Sequence, residues 1–219
     1  EMASAEDEIS SGKDELTSGQ QAMANQISDA QNQLNDKKIE LFQTEADLNN
    51  KLTELTNARA SAEQGIAALQ QVQTQVQTLM ETKAQLEQGI AAMKAMKKET
   101  KELEKQLAQV EAGLTEIKAQ LAAQEGSSLK EDATDEELTA YIAQALTEAE
   151  QGLVQVNGGI AAIEAGLQSV AEGKATINDT LATLNQSQIT GSVEMGSASA
   201  QLASGEEKLK ESKETFEES

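Results

Sequence analysis

The chain has 219 residues, of which 38% are hydrophobic and 1% are aromatic, and it contains no Pro, Cys, His or Trp. Without Cys and His there is no thiol nucleophile, no imidazole base and no ordinary zinc site, so we predict no catalytic activity, no cofactor and no metal site. The formal net charge of −21 disfavours nucleic acid and anionic lipid as partners and is typical of a soluble, exposed surface.

Residues 1–125 predict a helical arm whose heptad repeat changes phase once. Two lines of mostly apolar residues each have seven-residue spacing, but the second is out of step with the first. The first line contains Ile27, Leu34, Leu41, Leu48, Leu55, Ala62, Leu69 and Val76. The second contains Leu86, Met93, Leu107, Leu114 and Leu121, with Thr100 at its one polar step. The change of phase predicts a stutter near residues 80–100.

A turn is predicted over residues 126–135, where the heptad repeat is lost. Gly126 fits the C-cap of the first arm, because glycine adopts the left-handed conformation that ends many helices. Either Thr134 or Asp135 fits the N-cap of the next helix. The absence of Pro agrees with helices that are otherwise uninterrupted.

The predicted turn also supplies candidate contact residues. If the turn is the tip of a hairpin, Gly126, Leu129 and Tyr141 are placed to meet a partner. For Tyr141, the only Tyr of the chain, packing against the loop is the alternative interpretation.

Residues 136–219 predict a second helical arm with the most regular repeat in the chain. Two lines of seven-residue spacing run from Ile142 to Phe216 without a slip. One contains Leu146, Leu153, Ile160, Leu167, Lys174, Leu181, Gln188, Met195, Leu202, Leu209 and Phe216. The other contains Ile142, Ala149, Val156, Ile163, Val170, Ile177, Leu184, Gly191, Ala198, Gly205 and Ser212. So long a pair of lines predicts a left-handed coiled coil.

The two ends of the chain share the motif Leu/Ile-x-Ser-Gly-x-x-x-Leu. If the ends pair antiparallel with Gly12 opposite Leu209, a large residue faces a small one in successive layers, which favours close packing. In this register Leu16 faces Gly205 and Gly19 faces Leu202. The candidate stalk contacts are therefore Gly12, Leu16, Gly19, Leu202, Gly205 and Leu209. A stalk with so many glycines is either a close-packed helix interface or a deliberately soft one.

Neither arm can bury its apolar stripe alone, so we predict an all-α fold, a long antiparallel coiled-coil hairpin in which residues 1–219 form one extended domain. Pairing outward from the turn and pairing from the ends disagree by roughly 40 residues of the first arm. An additional helical fold-back near the distal end would accommodate these residues, and we favour it. The alternative is that residues 1–45 overhang and pair with another chain.

The Ser-Gly heptads resemble a known kind of bacterial protein. The repeated Leu-x-Ser-Gly-x-x-x-Leu units and the closing stretch 201–216, QLASGEEKLKESKETF, are similar to the extracytoplasmic coiled-coil inserts of Gram-positive permeases. The nearest resemblance is to the FtsX/MacB-like ABC transporter permease, and MMPL-type exporters and YhgE/Pip-type proteins have similar heptads. The resemblance covers both ends and little of the middle.

The resemblance implies a non-catalytic arm on the extracellular face of the cell membrane, which couples transporter motion to a substrate, a cell-wall layer or a protein at its tip. Its partners would be the membrane helices and the ATPase of the same transporter. Because the chain begins at Glu1 rather than Met, we expect an excised fragment whose anchoring segments lie outside it. A cell-surface adhesin or tether, or a structural coiled-coil dimer, is the alternative function.

Overall fold

The computed structural model describes residues 2–124 and 126–217, with the side chains of residues 3–124 and 126–216. In this part of the chain there are three α-helices and no strand: α1 is Met2–Ala95, α2 is Lys101–Ala122 and α3 is Asp135–Glu217. The predicted all-α class with helical hairpin pairing is confirmed. Glu125, at the end of the predicted first arm, lies outside the described residues.

The predicted stutter in the first arm is a turn between two helices. After α1 ends, Lys97 adopts a left-handed conformation with φ of 53°. The Lys98 N–H donates to the Met93 carbonyl at 2.9 Å, and the Lys97 N–H donates to the Lys94 carbonyl at 3.0 Å. These two bonds form a Schellman motif, in which Lys97 occupies the position where glycine is usual.

Beyond this turn α2 runs antiparallel to α1. A Cβ atom at Gly89 would lie 3.5 Å from Leu103, and one at Gly113 would lie 3.6 Å from Leu79. The chain therefore contains the favoured fold-back. Pairing from the turn and pairing from the ends disagreed by part of the first arm. The fold-back accounts for that part, because the last section of α1 and the whole of α2 pair with each other.

The chain divides into two compact units, where the sequence indicated one extended domain. Unit 1 comprises Glu1–Asn50 and Ala165–Ser219, and unit 2 comprises Lys51–Glu164.

Unit 2 has a three-helix core. Val76 of α1 and Leu138 and Ile142 of α3 are no more than 1% exposed. Around them lie Leu114 and Leu121 of α2, Leu146 of α3, and Leu129 and Ala133 of the loop between α2 and α3. Val76, Leu114, Leu121, Ile142 and Leu146 lie on the predicted heptad lines, so the periodicity predicts most of this core, whereas Leu138 and the two loop residues lie off those lines.

The loop between α2 and α3 is a crossover and not the hairpin turn expected from the sequence. Leu55 lies against Gly159 and Lys83 lies against Asp135, so α3 runs antiparallel to α1 and hence parallel to α2. The physical reason is that Leu129, in the loop itself, is buried in the core, which carries the chain back along the bundle before α3 begins.

Unit 1 is an antiparallel pair formed by the start of α1 and the end of α3. Small residues on one helix receive large residues from the other in repeated layers: Leu202 on Gly12, Ile9 on Gly205, Met23 on Gly191, Leu41 on Gly173 and Leu48 on Gly166. The heptad lines of the second arm are half-buried or buried along most of α3, with Gln188, Ser212 and Phe216 as exposed members.

The register predicted for the paired ends was wrong by one heptad. Leu202 lies against Gly12 and not Gly19, and Gly205 lies against Ile9 and not Leu16. The large-on-small pattern repeats every seven residues, so it fits both registers. Charge separates them, because the observed register pairs Lys13 with Glu206, whereas the predicted one would bring Lys13 to Lys213, seven residues further on.

Candidate interaction sites

The paired ends of unit 1 hold five of the six predicted stalk residues in half-buried positions. A Cβ at Gly12 would lie 3.1 Å from Leu202 Cδ2, and one at Gly205 would lie 3.6 Å from Ile9 Cδ1. Leu16 and Leu209 are half-buried as well. Gly19 differs, because it is exposed and no atom of another element lies within 4 Å of where its Cβ would be.

Two ion pairs join the same ends. Lys13 pairs with Glu206, and Lys213 pairs with Glu6. The four side chains are 38–51% exposed, so each pair is worth only about 0.2–1 kcal/mol. The pairs therefore select the register of the ends more than they stabilise them. An open groove of about 470 Å³ follows them and includes Ile9 and Leu209 in its lining.

A polar junction ties the three helices of unit 2 together at the start of α3. Asp135 accepts hydrogen bonds from Lys83 Nζ of α1 and Lys118 Nζ of α2, each at 2.8 Å. These two hydrogen bonds, that from Lys118 first, hold the pKa of Asp135 below its ordinary value. The bond to Asp135 likewise raises the pKa of Lys83.

The sequence reasoning missed this junction, although one signal was available. Lys83 continues the first heptad line of α1, seven residues after Val76, where another apolar residue is expected. A lysine at such a position needs an acidic partner from a neighbouring helix, and Asp135 provides it.

The N-terminus of α3 carries a reciprocal capping box. The Glu137 N–H donates to Thr134 Oγ1 at 3.1 Å, and the Thr134 N–H donates to Glu137 Oε2 at 2.7 Å. Of the two candidate N-caps, Thr134 is the one used. The hydrogen bond from the Thr134 backbone is the main reason why the pKa of Glu137 is lowered.

The predicted tip residues do not lie together at an exposed end. Leu129 is 8% exposed and belongs to the core, and Tyr141 is half-buried against that core, as in the packing alternative. Gly126 is exposed with φ of 80°. It is not the C-cap of α2, which is Ala123. The C-cap prediction was wrong because α2 ends earlier, and Gly126 supplies the positive φ of a later turn instead.

The exposed end of the α1–α2 hairpin is a better candidate for an external contact. Met96 in this turn is 56% exposed. Lys94 and Glu104 form an ion pair of 3.1 Å across the base of the turn. The sequence did not mark a turn at this place, because Lys97 gives no glycine or proline signal.

A lysine occupies one core position of unit 1. Lys174 is 18% exposed, pairs with Glu45 and lies 4.0 Å from the centroid of the Phe42 ring. Both contacts come from α1, so this polar layer favours one register of α1 against α3. Lys38 adds a further polar contact with Asn178 at 3.0 Å.

Chemically, the described side chains offer ion pairs, hydrogen bonds and apolar helix contacts. The described residues contain no group of three acidic side chains close enough to hold a metal ion. None of the helices, as far as they are described, has a stretch apolar enough to cross a membrane. The chain matches no family model, no curated protein and no solved structure.

Proposed function

We propose that this chain is a non-catalytic extracellular coiled-coil arm of a bacterial membrane export permease, of the FtsX/MacB-like ABC type. The arm couples movement of the transporter to a substrate, a cell-wall layer or a protein partner. The membrane helices and the ATPase of the transporter are its partners, and both lie outside this chain.

The observation that carries the proposal is the pairing of the two ends in unit 1. Lys213 near the end of α3 pairs with Glu6 near the start of α1. A segment inserted between two neighbouring membrane helices needs this arrangement, because both of its ends must leave the membrane at one place. Of the Ser-Gly heptads that suggest the permease resemblance, those of Gly12 and Gly205 take part in this pairing, whereas Gly19 makes no such contact.

The pairing also suggests how motion would be transmitted. A change in the spacing of the two membrane helices would shift the start of α1 against the end of α3. Because the layers of unit 1 alternate large and small residues, such a shift meets a stepwise resistance rather than a smooth one. The exposed turn with Met96 is the part of unit 2 that we assign to partner contact.

The test uses the full-length gene product in intact cells. The chain has no Cys, so a Ser128→Cys variant has one labelling site, which lies in an exposed position. A membrane-impermeant maleimide should label intact cells as fully as lysed cells, and membrane segments should flank the chain on both sides. Labelling only after lysis, or a membrane segment on one side only, would contradict the proposal.

A tether or dimer is the second candidate, and one observation favours it. Ile189 and Val193 lie one turn apart on α3 and are 58% and 67% exposed. Such a pair fits a contact with a second helix of another chain. Light scattering at low micromolar concentration separates the two functions, because a permease arm should give the mass of one chain and a dimer twice that mass.

A further inference from the structure

The helices of unit 1 are buried unevenly along their length. Among the described residues of this unit, the buried side chains are Ile27, Val170 and Ile177, which are 5–8% exposed. No described side chain is buried in residues 3–26 or in residues 178–216. The terminal section of unit 1 is therefore paired without a buried core.

The residues at the core positions explain this difference. Gly19 is exposed and faces open space, and Gln188 occupies a heptad position of α3 but is exposed. Layers of one large residue against one glycine occur along the whole of unit 1, but those near the ends, as with Leu202 on Gly12, have no buried residue beside them. Little apolar area is removed from water there, and sections with few buried contacts open more readily than the core.

Two exposed ion pairs add a small attraction to the weak apolar packing of this section. Lys13 with Glu206 and Lys213 with Glu6 cross between the helices in this section. All four side chains are at least 38% exposed, so dissolved salt screens the attraction between them. By contrast, in the charged contact further along between Lys174 and Glu45, Lys174 is only 18% exposed and lies one helical turn from buried Val170.

We propose that Glu6, Lys13, Glu206 and Lys213 form an end latch that holds the terminal section of unit 1 together. When these ion pairs are weakened, the terminal section opens while the pairing around Val170 and Ile177 stays closed. The biological role of the end latch rests on the proposed function. In that role, the end latch is the point at which transporter motion would separate the two helices. Its opening is a property of the chain alone and is measured on the chain alone.

The experiment compares two label pairs at matching places in the register. Ser4→Cys with Glu211→Cys reports on the end latch, and Thr44→Cys with Ala171→Cys reports on the well-packed section. All four positions are exposed, and the chain has no other Cys. Each pair is spin-labelled, and distances are measured by pulsed electron resonance at about 0.01 M and about 1 M salt, where the screening length falls from roughly 30 Å to roughly 3 Å.

At low salt both pairs should give one short distance. At high salt the pair at 4 and 211 should gain a population of long distances, with a ratio of open to closed chains at least about twofold higher, while the pair at 44 and 171 stays unchanged. Lys13→Glu should open the ends at low salt, and adding Glu206→Lys should close them again.

Three results would overturn the end latch. The first is that neither label pair responds to salt or to Lys13→Glu. The second is that both label pairs open together. The third is that the ends are far apart even at low salt. The first two leave the proposed function standing, because the ends still meet within one chain. The third contradicts the proposed function as well.

Discussion

Leu202 of α3 fills the space beside Gly12 of α1, so that a Cβ on this glycine would lie 3.1 Å from Leu202 Cδ2. The contact joins residues close to opposite ends of the chain. Repeated with Leu41 on Gly173 and Leu48 on Gly166, it packs α1 closely against α3 in unit 1, and the ion pair of Lys13 with Glu206 selects the register. The glycines are thus part of the packing and not merely tolerated by it.

Neighbouring glycines of α3 should respond differently to the same substitution. Gly158 faces open space, whereas a Cβ on Gly159 would lie 3.0 Å from Leu55 Cδ1. Gly158→Ala should stabilise the protein by about 0.8–1 kcal/mol, because alanine has the higher helix propensity. Gly159→Ala should be less stable than Gly158→Ala by about 1 kcal/mol or more, because the added methyl group overpacks the contact. Urea unfolding followed by circular dichroism measures both, and equal gains would contradict the packing role.

The left-handed residue that ends α1 offers a second substitution. Lys97 has φ of 53°, a conformation that costs a side-chain-bearing residue about 1 kcal/mol or more. Lys97→Gly should therefore raise the free energy of unfolding by about 1 kcal/mol. Lys98→Gly is the control, since Lys98 is outside the left-handed region and should give no gain. A loss of stability in Lys97→Gly would mean that this turn does not form as described.

The junction at Asp135 should make unit 2 sensitive to acid. Asp135→Asn removes the charge that Lys83 and Lys118 share, and it should destabilise the protein by about 1–3 kcal/mol at neutral pH. Since hydrogen bonds lower the pKa of Asp135 from 3.8, its contribution is fully present above that value and is lost as the pH falls through the lowered pKa. The difference between the parent and the variant should therefore shrink at low pH.

Thermal unfolding at several pH values measures this difference. Asp132→Asn is the matched control, because Asp132 is exposed in the preceding loop and forms no ion pair with either lysine. A loss at neutral pH that is equal in the two variants, or a difference for Asp135→Asn that persists in acid, would show that the junction does not act through its charge.

The capping box of α3 can be tested by two closely related substitutions. Thr134→Ala removes the hydroxyl that accepts a hydrogen bond from the Glu137 N–H, and it should cost about 1 kcal/mol. Thr134→Ser keeps the hydroxyl and should retain nearly full stability. Chemical unfolding compares the two, and equal effects would show that the hydroxyl does not cap the helix.

Periodicity alone was enough to predict the helices and much of their pairing. The two heptad lines, with Leu146 and Leu202 on one and Val170 on the other, follow the side of α3 that packs on α1. The mismatch between the two possible registers indicated a fold-back, although the turn at Lys97 has no glycine or proline to mark it. The sequence therefore places the fold-back only within the region where the heptad repeat changes phase, near residues 80–100.

Other features depend on contacts that no local pattern records. The packing of Leu129 into the core makes α3 parallel to α2 and moves the predicted tip away from an exposed end. The register of the ends depends on Lys13 meeting Glu206, because a repeat of seven residues fits equally well when shifted by seven. The junction at Asp135 brings together residues from three helices. The one sign of it in the sequence was Lys83, which occupies a heptad position where an apolar residue is expected.

A single distance within the chain shows whether its two ends lie side by side. Ser4→Cys and Glu211→Cys should be spin-labelled in dilute protein at low salt, with an excess of unlabelled chain to remove distances between molecules. The pairing of α1 with α3 in unit 1 predicts one short distance within the chain, as expected for helix axes about 10 Å apart. A separation of many tens of ångströms, or a short distance that disappears on dilution with unlabelled chain, would contradict it.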